Sequence, residues 1–324
     1  MVPTWLQALV LGIVQGLTEF IPVSSSGHLV LVPYLLGWER PGLAFDVALH
    51  LGTAGAIITY FRGELWAMVH GFVRPRAGPD ARLYRRLGAL LVLATVPVAV
   101  VGVTFTDQIE QVFATPPVAA ALLFATAAIL TGGESVRARR VRAASRAAAA
   151  AAEDRDDRVW SGDWIGEAAP GPERDDLTLP VGDDAADPTG KTLPQVGIRE
   201  ALVVGLAQCL ALLPGISRSG TTIMAGVASG MTRQAATRFA FLLALPALIG
   251  AGIISAPDLA EPGIYSPGDI VIGVVAAFVA SYAAIRFLVA FVSTERLTGF
   301  AKYCVAAGVI GLLGFVMLGP VAAG

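Results

Sequence analysis

The sequence predicts an all-α integral membrane protein of six transmembrane helices plus two re-entrant helix-turn-helix units, arranged as an inverted-topology repeat. Three observations carry that expectation. First, the 324 residues are 55% hydrophobic and 15% charged with a mean hydropathy of +0.68, too apolar for an ordinary soluble domain. Second, two stretches 193 residues apart match without a gap: Ala8 with Ala201, Leu9 with Leu202, Gly12 with Gly205, Gln15 with Gln208, and the Ser24-Ser25-Ser26-Gly27 turn with Ser217-Arg218-Ser219-Gly220. Third, the arginines gather in alternate loops.

The first unit spans residues 5–36. It is an apolar helical run that Pro22 ends, a Ser- and Gly-rich turn, and a second apolar run starting near His28. Each half is about 12 to 16 residues, too short to cross a bilayer comfortably and suited to a re-entrant hairpin. No basic region precedes the first apolar run and the first cationic side chain is Arg40, so this segment is expected to be kept rather than cleaved as a leader.

Three apolar runs of spanning length follow at 43–61, 86–105 and 116–132, which completes a first half over residues 1–132. Residues 133–197 form an Arg- and Ala-rich, then acidic, connection. Within it, residues 153–191 hold twelve Asp or Glu against four Arg or Lys, a local charge of −8 that leaves +6 elsewhere. With no apolar periodicity and many Pro, Gly and Asp, it reads as a solvated, disordered spacer. The second half, 198–324, repeats the plan with a unit at 198–230 and spans at 237–255, 268–291 and 302–318. The two halves form one membrane domain. Cys209 and Cys304 lie in apolar runs with no partner at metal-ligand spacing and read as small buried hydrophobes.

Loop charges set the orientation, because Lys and Arg in short loops favour the cytoplasmic side. The loop after the first span carries Arg62, Arg74, Arg76, Arg82, Arg85 and Arg86, and the one after the third begins with Arg137, Arg139, Arg140, Arg142 and Arg146. The opposite loops hold Asp107, Glu110, Asp258 and Glu261 with Arg40 as their cation. Both termini are thus expected outside and the acidic segment inside. Three spans separate the two units, so the second enters from the side opposite the first. Ordinary kinked hairpins packed by small residues would explain neither the gap-free match nor the charges.

Ionisable groups in membrane segments are costly and mark function by default. Within the units these are Glu19, His28 and Arg218. Gln15 and Glu19, four apart, put two oxygen donors on one helix face. The hydroxyls and backbone N–H groups of Ser24, Ser25, Ser26 and Gly27 can close around an anion at a helix N-terminus. Ser217, Ser219, Gly220, Thr221 and Thr222 repeat the cradle, and Arg218 adds a planar fork suited to phosphate. Individual roles for these hydroxyls stay open, since Ser and Thr in membrane helices usually bond backbone. Such a site fits a phosphate or diphosphate with a long apolar tail. The chain has no P-loop, dinucleotide fingerprint or zinc-type pairing, Gly215-Ile-Ser217-Arg-Ser219 misses the nucleophile elbow, and the basic loop is a topology or anionic-lipid feature rather than a nucleic-acid site.

The run Gln15-Gly-Leu-Thr-Glu19-Phe-Ile-Pro22-Val-Ser24-Ser25-Ser26-Gly27-His28, with Pro214-Gly-Ile-Ser217-Arg218-Ser219-Gly220, resembles the undecaprenyl-diphosphate phosphatase family, also known as bacitracin-resistance proteins. The resemblance covers the chain except about 50 residues of the acidic segment, which stands as an insertion in the family's compact pattern. It implies hydrolysis of a polyprenyl diphosphate to the monophosphate in the cell membrane, recycling the lipid carrier of cell-surface glycans, with the site open to the outer face. It also implies a divalent cation, Mg²⁺ or Ca²⁺, at Glu19 and Gln15. Glu19 would otherwise act as a base, Ser25 and His28 would be nucleophile and acid/base in an order left open, and Arg218 would neutralise the phosphate. Many relatives carry Glu where this chain has Gln15, which removes a charge. The rival reading is a lipid flippase or transporter, which needs the anion cradle but no nucleophile pair; association of like chains is open.

Overall fold

The computed structural model describes residues 2–74, 76, 78–105, 108–109, 115–160, 190–254 and 264–319. Most of the acidic segment, and Asp107, Glu110, Asp258 and Glu261, lie outside the described residues. Eleven α-helices are named in chain order: α1 (Thr4–Phe20), α2 (Ser25–Leu36), α3 (Leu43–Tyr60), α4 (Arg62–Val73), α5 (Pro79–Thr104), α6 (Pro116–Trp160), α7 (Ile198–Gln208), α8 (Arg218–Ala228), α9 (Arg233–Ile254), α10 (Pro267–Thr294) and α11 (Thr298–Leu318). Short 3₁₀ turns at Leu193–Gln195 and Cys209–Leu212 flank α7. The described residues contain no named strand, only an isolated parallel bridge between Lys191 and Met231. The chain is an all-helical, multi-pass membrane protein.

Among the described residues α5, α6, α9, α10 and α11 are long and apolar enough to cross a bilayer, and α3 with α4 makes a sixth if that pair, bent by 78°, is one span. Two stretches expected as loop are helical. Residues 62–73 form α4, where Leu65, Trp66, Met68 and Val69 make an apolar helix and Arg238 of α9 pairs with Glu64 at 2.5 Å. The Arg/Ala-rich stretch after residue 132 continues α6, because alanine and arginine are among the strongest helix formers. Arg140 tethers this extension by donating to the carbonyls of Val227 (2.9 Å) and Met231 (3.2 Å) at the end of α8.

Both repeat units are helix-turn-helix elements with the same punctuation. α1 ends where Ile21, before Pro22, turns extended at φ −63°, ψ 131°, and the second unit breaks at Leu213, before Pro214, at φ −87°, ψ 131°. Ser24 Oγ then caps α2 by accepting from Gly27 N at 3.2 Å, and Ser217 Oγ caps α8 by accepting from Gly220 N at 3.1 Å. The turns differ in where they reverse. Unit one uses Ser24 at φ 72°, a strained value for a residue with a side chain, whereas unit two uses Gly215 at φ 97°.

Packing respects the repeat. α1 lies on α10 and its counterpart α7 lies on α5; α3 lies on α10 and its counterpart α9 on α5. α6 meets α8, α2 meets α11, and the pairs α3–α9 and α6–α11 join the two halves. Small residues make the first of these contacts close: a Cβ on Gly12 or Gly16 would strike backbone of Gly273 or Ala277 in α10, and one on Gly205 would strike Ala94 of α5. The core is centred on Phe20, Phe61, Phe239 and Phe241, with Phe20 and Phe241 edge to face at 5.1 Å. This interleaving brings the two turns together at the middle of the molecule.

Candidate active site

The turns touch through glycine. A Cβ on Gly27 would come within 3.1 Å of Gly215 Cα, and one on Gly215 would collide with the Ala119 carbonyl and Leu122 of α6. Thr126 of α6 fixes the second turn from behind, donating to Gly215 O at 2.7 Å and accepting from Ser217 N at 2.9 Å. Rigid backbone therefore positions the side chains that follow.

Glu19, on the last turn of α1 and buried, is the centre of the cluster. Its Oε1 is ion-paired with Arg218 Nη2 from the other unit. Its Oε2 accepts from Ser25 Oγ at 2.5 Å and from Gln15 Nε2 at 3.1 Å, the latter one helical turn earlier. His50 of α3 donates from Nδ1 to the Asp46 carbonyl at 2.6 Å, which leaves Nε2 facing Glu19 Oε2 at 3.8 Å. A hydroxyl that donates to a carboxylate is placed to pass its proton to it.

These groups open into a cavity of about 350 Å³. Glu19, Ser25, Ser26, His50, Gln208, Ser217 and Arg218, with the hydroxyls of Thr18 and Thr95, form its polar lining. The remainder is mainly apolar, drawn from α5 (Val98, Ala99, Val103) and from the far end of α9 (Pro246, Leu248, Ile254). A polar head and an apolar flank are what a lipid with a charged headgroup requires.

Of the residues singled out from the sequence, the fold brings Glu19, Ser25 and Arg218 into contact. Ser26 and Ser217 line the cavity. Ser24, Gly27, Ser219, Gly220 and Thr222 do not: Ser24 and Ser217 cap helices, Gly27 N and Gly220 N are their donors, Ser219 Oγ lies 3.2 Å from Ser217 Oγ, and Thr222 Oγ1 donates back to Arg218 O at 2.7 Å. They shape the turns. Gln15 lies behind Glu19, with Oε1 buried and unpartnered.

His28 stands apart from Ser25. Its Nδ1 donates to the Ser24 carbonyl at 2.7 Å, and its Nε2 accepts from Tyr303 OH at 2.8 Å, with the two rings stacked at 5.6 Å. It is buried and does not line the cavity. The imidazole that does so is His50, which sequence reasoning passed over. The signal was present: His50 is an ionisable group inside an apolar run, the same cost that drew attention to His28.

Among the described residues no cluster of three or more His, Cys, Asp or Glu could hold a metal by itself. The donors grouped with Glu19 are the Ser25 hydroxyl, the His50 ring and the Gln15 amide, whose Oε1 is unpartnered. That donor set fits a hard cation of the Mg²⁺ type, which takes one or two protein oxygens and completes its shell with phosphate and water.

The chain matches the family model described as bacitracin resistance protein BacA over residues 8–166 and 177–310. The match breaks between 166 and 177, inside the acidic segment. The chain is similar to a protein named undecaprenyl-diphosphatase from Nocardioides sp., 35% identical over 322 residues that cover 98% of this chain and 99% of the relative. It is also similar to undecaprenyl-diphosphatase 2 of Streptomyces avermitilis, 34% identical over 99% of this chain and 98% of the relative. An undecaprenyl-diphosphatase of Trichlorobacter lovleyi is 37% identical over 97% and 98%.

Proposed function

The chain belongs to the bacitracin resistance protein BacA family, and from that membership we propose that it is an undecaprenyl-diphosphatase, cleaving a polyprenyl diphosphate to the monophosphate and inorganic phosphate. One observation carries the reading: Ser25 of one unit and Arg218 of the other both hold Glu19 at the polar end of an otherwise apolar cavity.

Ser25 Oγ attacks the terminal phosphorus while Glu19 Oε2 takes the hydroxyl proton, and the bond to the bridging oxygen breaks to release prenyl monophosphate. Water then cleaves the phosphoserine, returning the hydroxyl to Ser25 and inorganic phosphate to the solvent. Arg218 neutralises the transferred group with the part of its fork not engaged by Glu19, in a reaction where positioning and charge stabilisation do most of the catalysis. Ser26 and Ser217 add hydroxyl donors to the phosphate oxygens. Glu19, with Gln15 Oε1 beside it, would hold a divalent cation, which supplies neutralisation of the diphosphate charge. His28 holds the turn by bonding Ser24 and Tyr303, and so orients Ser25 without acting as its acid or base.

The membrane placement follows the same reading. Six spans and two re-entrant units form an inverted repeat, both termini and the cavity mouth face outward, and the acidic segment is cytoplasmic. Support comes from the packing, in which α1 on α10 is matched by α7 on α5, α3 on α10 by α9 on α5, and α6 on α8 by α11 on α2. The cavity lining adds to it, since Val103 and Ile254 lie at the ends of α5 and α9 that the arginine bias assigns to the outer side.

Release of inorganic phosphate from a polyprenyl diphosphate by purified protein with Mg²⁺ or Ca²⁺ tests the proposal, with Ser25→Ala and Arg218→Ala as controls. Transbilayer movement of the lipid with no phosphate released would instead mark a transporter, the class whose folds commonly share this inverted packing.

A further inference from the structure

We propose that Gln208 binds the phosphate that stays on the lipid, a second phosphate contact made by the second repeat unit; this rests on the reading of the site as a prenyl-diphosphate site. Gln208 is the last residue of α7, 1% exposed, and it lines the cavity that holds Glu19, Ser25 and Arg218. Neither its Oε1 nor its Nε2 has a hydrogen-bond partner in the protein. A buried primary amide offers two donors and an acceptor, and leaving all of them unused is rare in folded chains.

The repeat explains why nothing in the protein occupies it. Its counterpart, Gln15, lies one turn before Glu19 and donates to that carboxylate at 3.1 Å. One turn after Gln208 the chain has Leu212, so its own helix supplies no acceptor. On the cavity wall Val98 and Ala99 are apolar, and the Thr95 hydroxyl gives its proton to Leu91 O at 2.8 Å, so it offers no donor to Gln208 Oε1. In unit one the glutamine is a clamp for a catalytic group, whereas in unit two it lines the cavity with its amide unpaired.

A diphosphate presents two phosphates, and Ser25 with Arg218 accounts for the terminal one. Gln208 supplies donors for the other without adding a second positive charge. That asymmetry suits turnover: a neutral amide orients the lipid-linked phosphate yet holds the monophosphate product less tightly than an arginine would.

The test uses the full chain in detergent and measures binding of a short prenyl monophosphate and of a non-hydrolysable prenyl methylenediphosphonate. Wild type is compared with Gln208→Met, which keeps volume and removes the polar atoms, and with Gln208→Glu, which keeps size and polarity but repels phosphate. Monophosphate affinity should fall roughly tenfold or more in the first and further in the second. KM for the diphosphate should rise in step while kcat at saturation changes less. Unchanged monophosphate affinity in either variant, at an unchanged melting temperature, overturns the proposal; a Gln208→Met protein that fails to fold leaves Gln208→Glu to decide. Wild-type protein that binds both lipids but releases no phosphate would overturn the hydrolase reading while leaving this binding test intact.

Discussion

Glu19 and Arg218, 199 residues apart in sequence, form an ion pair that joins the two repeat units across the centre of the molecule. Glu19 is buried and Arg218 is partly open to the cavity, so the pair is both a structural link and part of the reacting group.

Its two roles separate by mutation. Arg218→Ala leaves a buried carboxylate unpaired and should destabilise the protein by about 3 kcal/mol, whereas Glu19→Gln with Arg218→Met removes both charges and should recover most of that loss. Neither protein should release phosphate. Thermal unfolding in detergent, run beside the phosphate assay, checks both halves. Arg218→Lys should also stay largely inactive, since a single ammonium cannot hold Glu19 and a phosphate in the same plane as a fork does.

Ser25→Ala should lower hydrolysis by about 10³-fold or more, because the attacking oxygen is gone. His28→Ala should cost far less at saturating substrate and act through stability. Tyr303→Phe takes away the donor to His28 Nε2 and should cost about 1 kcal/mol. If His28 only holds the turn, the His28→Ala, Tyr303→Phe double variant should be no worse than His28→Ala alone. A His28→Ala protein that folds as wild type yet is as inactive as Ser25→Ala would sink this division of labour.

Gly215→Ala should be among the most damaging small substitutions. The added methyl would collide with the Ala119 carbonyl and Leu122, and φ 97° is itself strained for alanine, so a loss of about 3 kcal/mol is expected from overpacking and backbone strain together. Gly42→Cys, in an open position where a Cβ meets nothing within 4 Å, should leave stability unchanged.

That second variant also reads orientation. In a background with Cys209 and Cys304 replaced, Gly42→Cys should react with an impermeant thiol reagent in intact cells, and Gly166→Cys should not. The opposite pattern would invert the membrane placement. Deletion of residues 167–176, where the family match breaks, should leave phosphate release unchanged in inserted protein.

Much of this was legible in the sequence because the repeat is written in residue types that have one use each. Pro22 and Pro214 end helices, Ser24 and Ser217 cap the next ones, and Glu19 and Arg218 are too costly in lipid to be idle. What the match concealed is local backbone. Aligned residues need not share dihedrals, and the left-handed turn falls at Ser24 in one copy and at Gly215, two places earlier in register, in the other. Histidine was the harder case. His28 stands beside Ser25 in the chain, but a helical turn directs its ring to Tyr303, while His50 reaches Glu19 from a helix whose packing the repeat alone does not reveal. The α4 helix and the long extension of α6 went unseen because charge pattern reports sidedness, not the absence of a helix.

The crossed packing of α1 on α10 and α7 on α5 has a consequence for biosynthesis. The Gly12 and Gly16 face of α1 leaves the ribosome long before Gly273 and Ala277 exist, and at about 5–20 residues per second it waits on the order of tens of seconds for its partner. During that interval the first half carries a polar, serine-rich turn with no second turn to seal it. Neither half is a finished unit, and the newborn chain must be held in the bilayer as an open clasp until its last third arrives to close it.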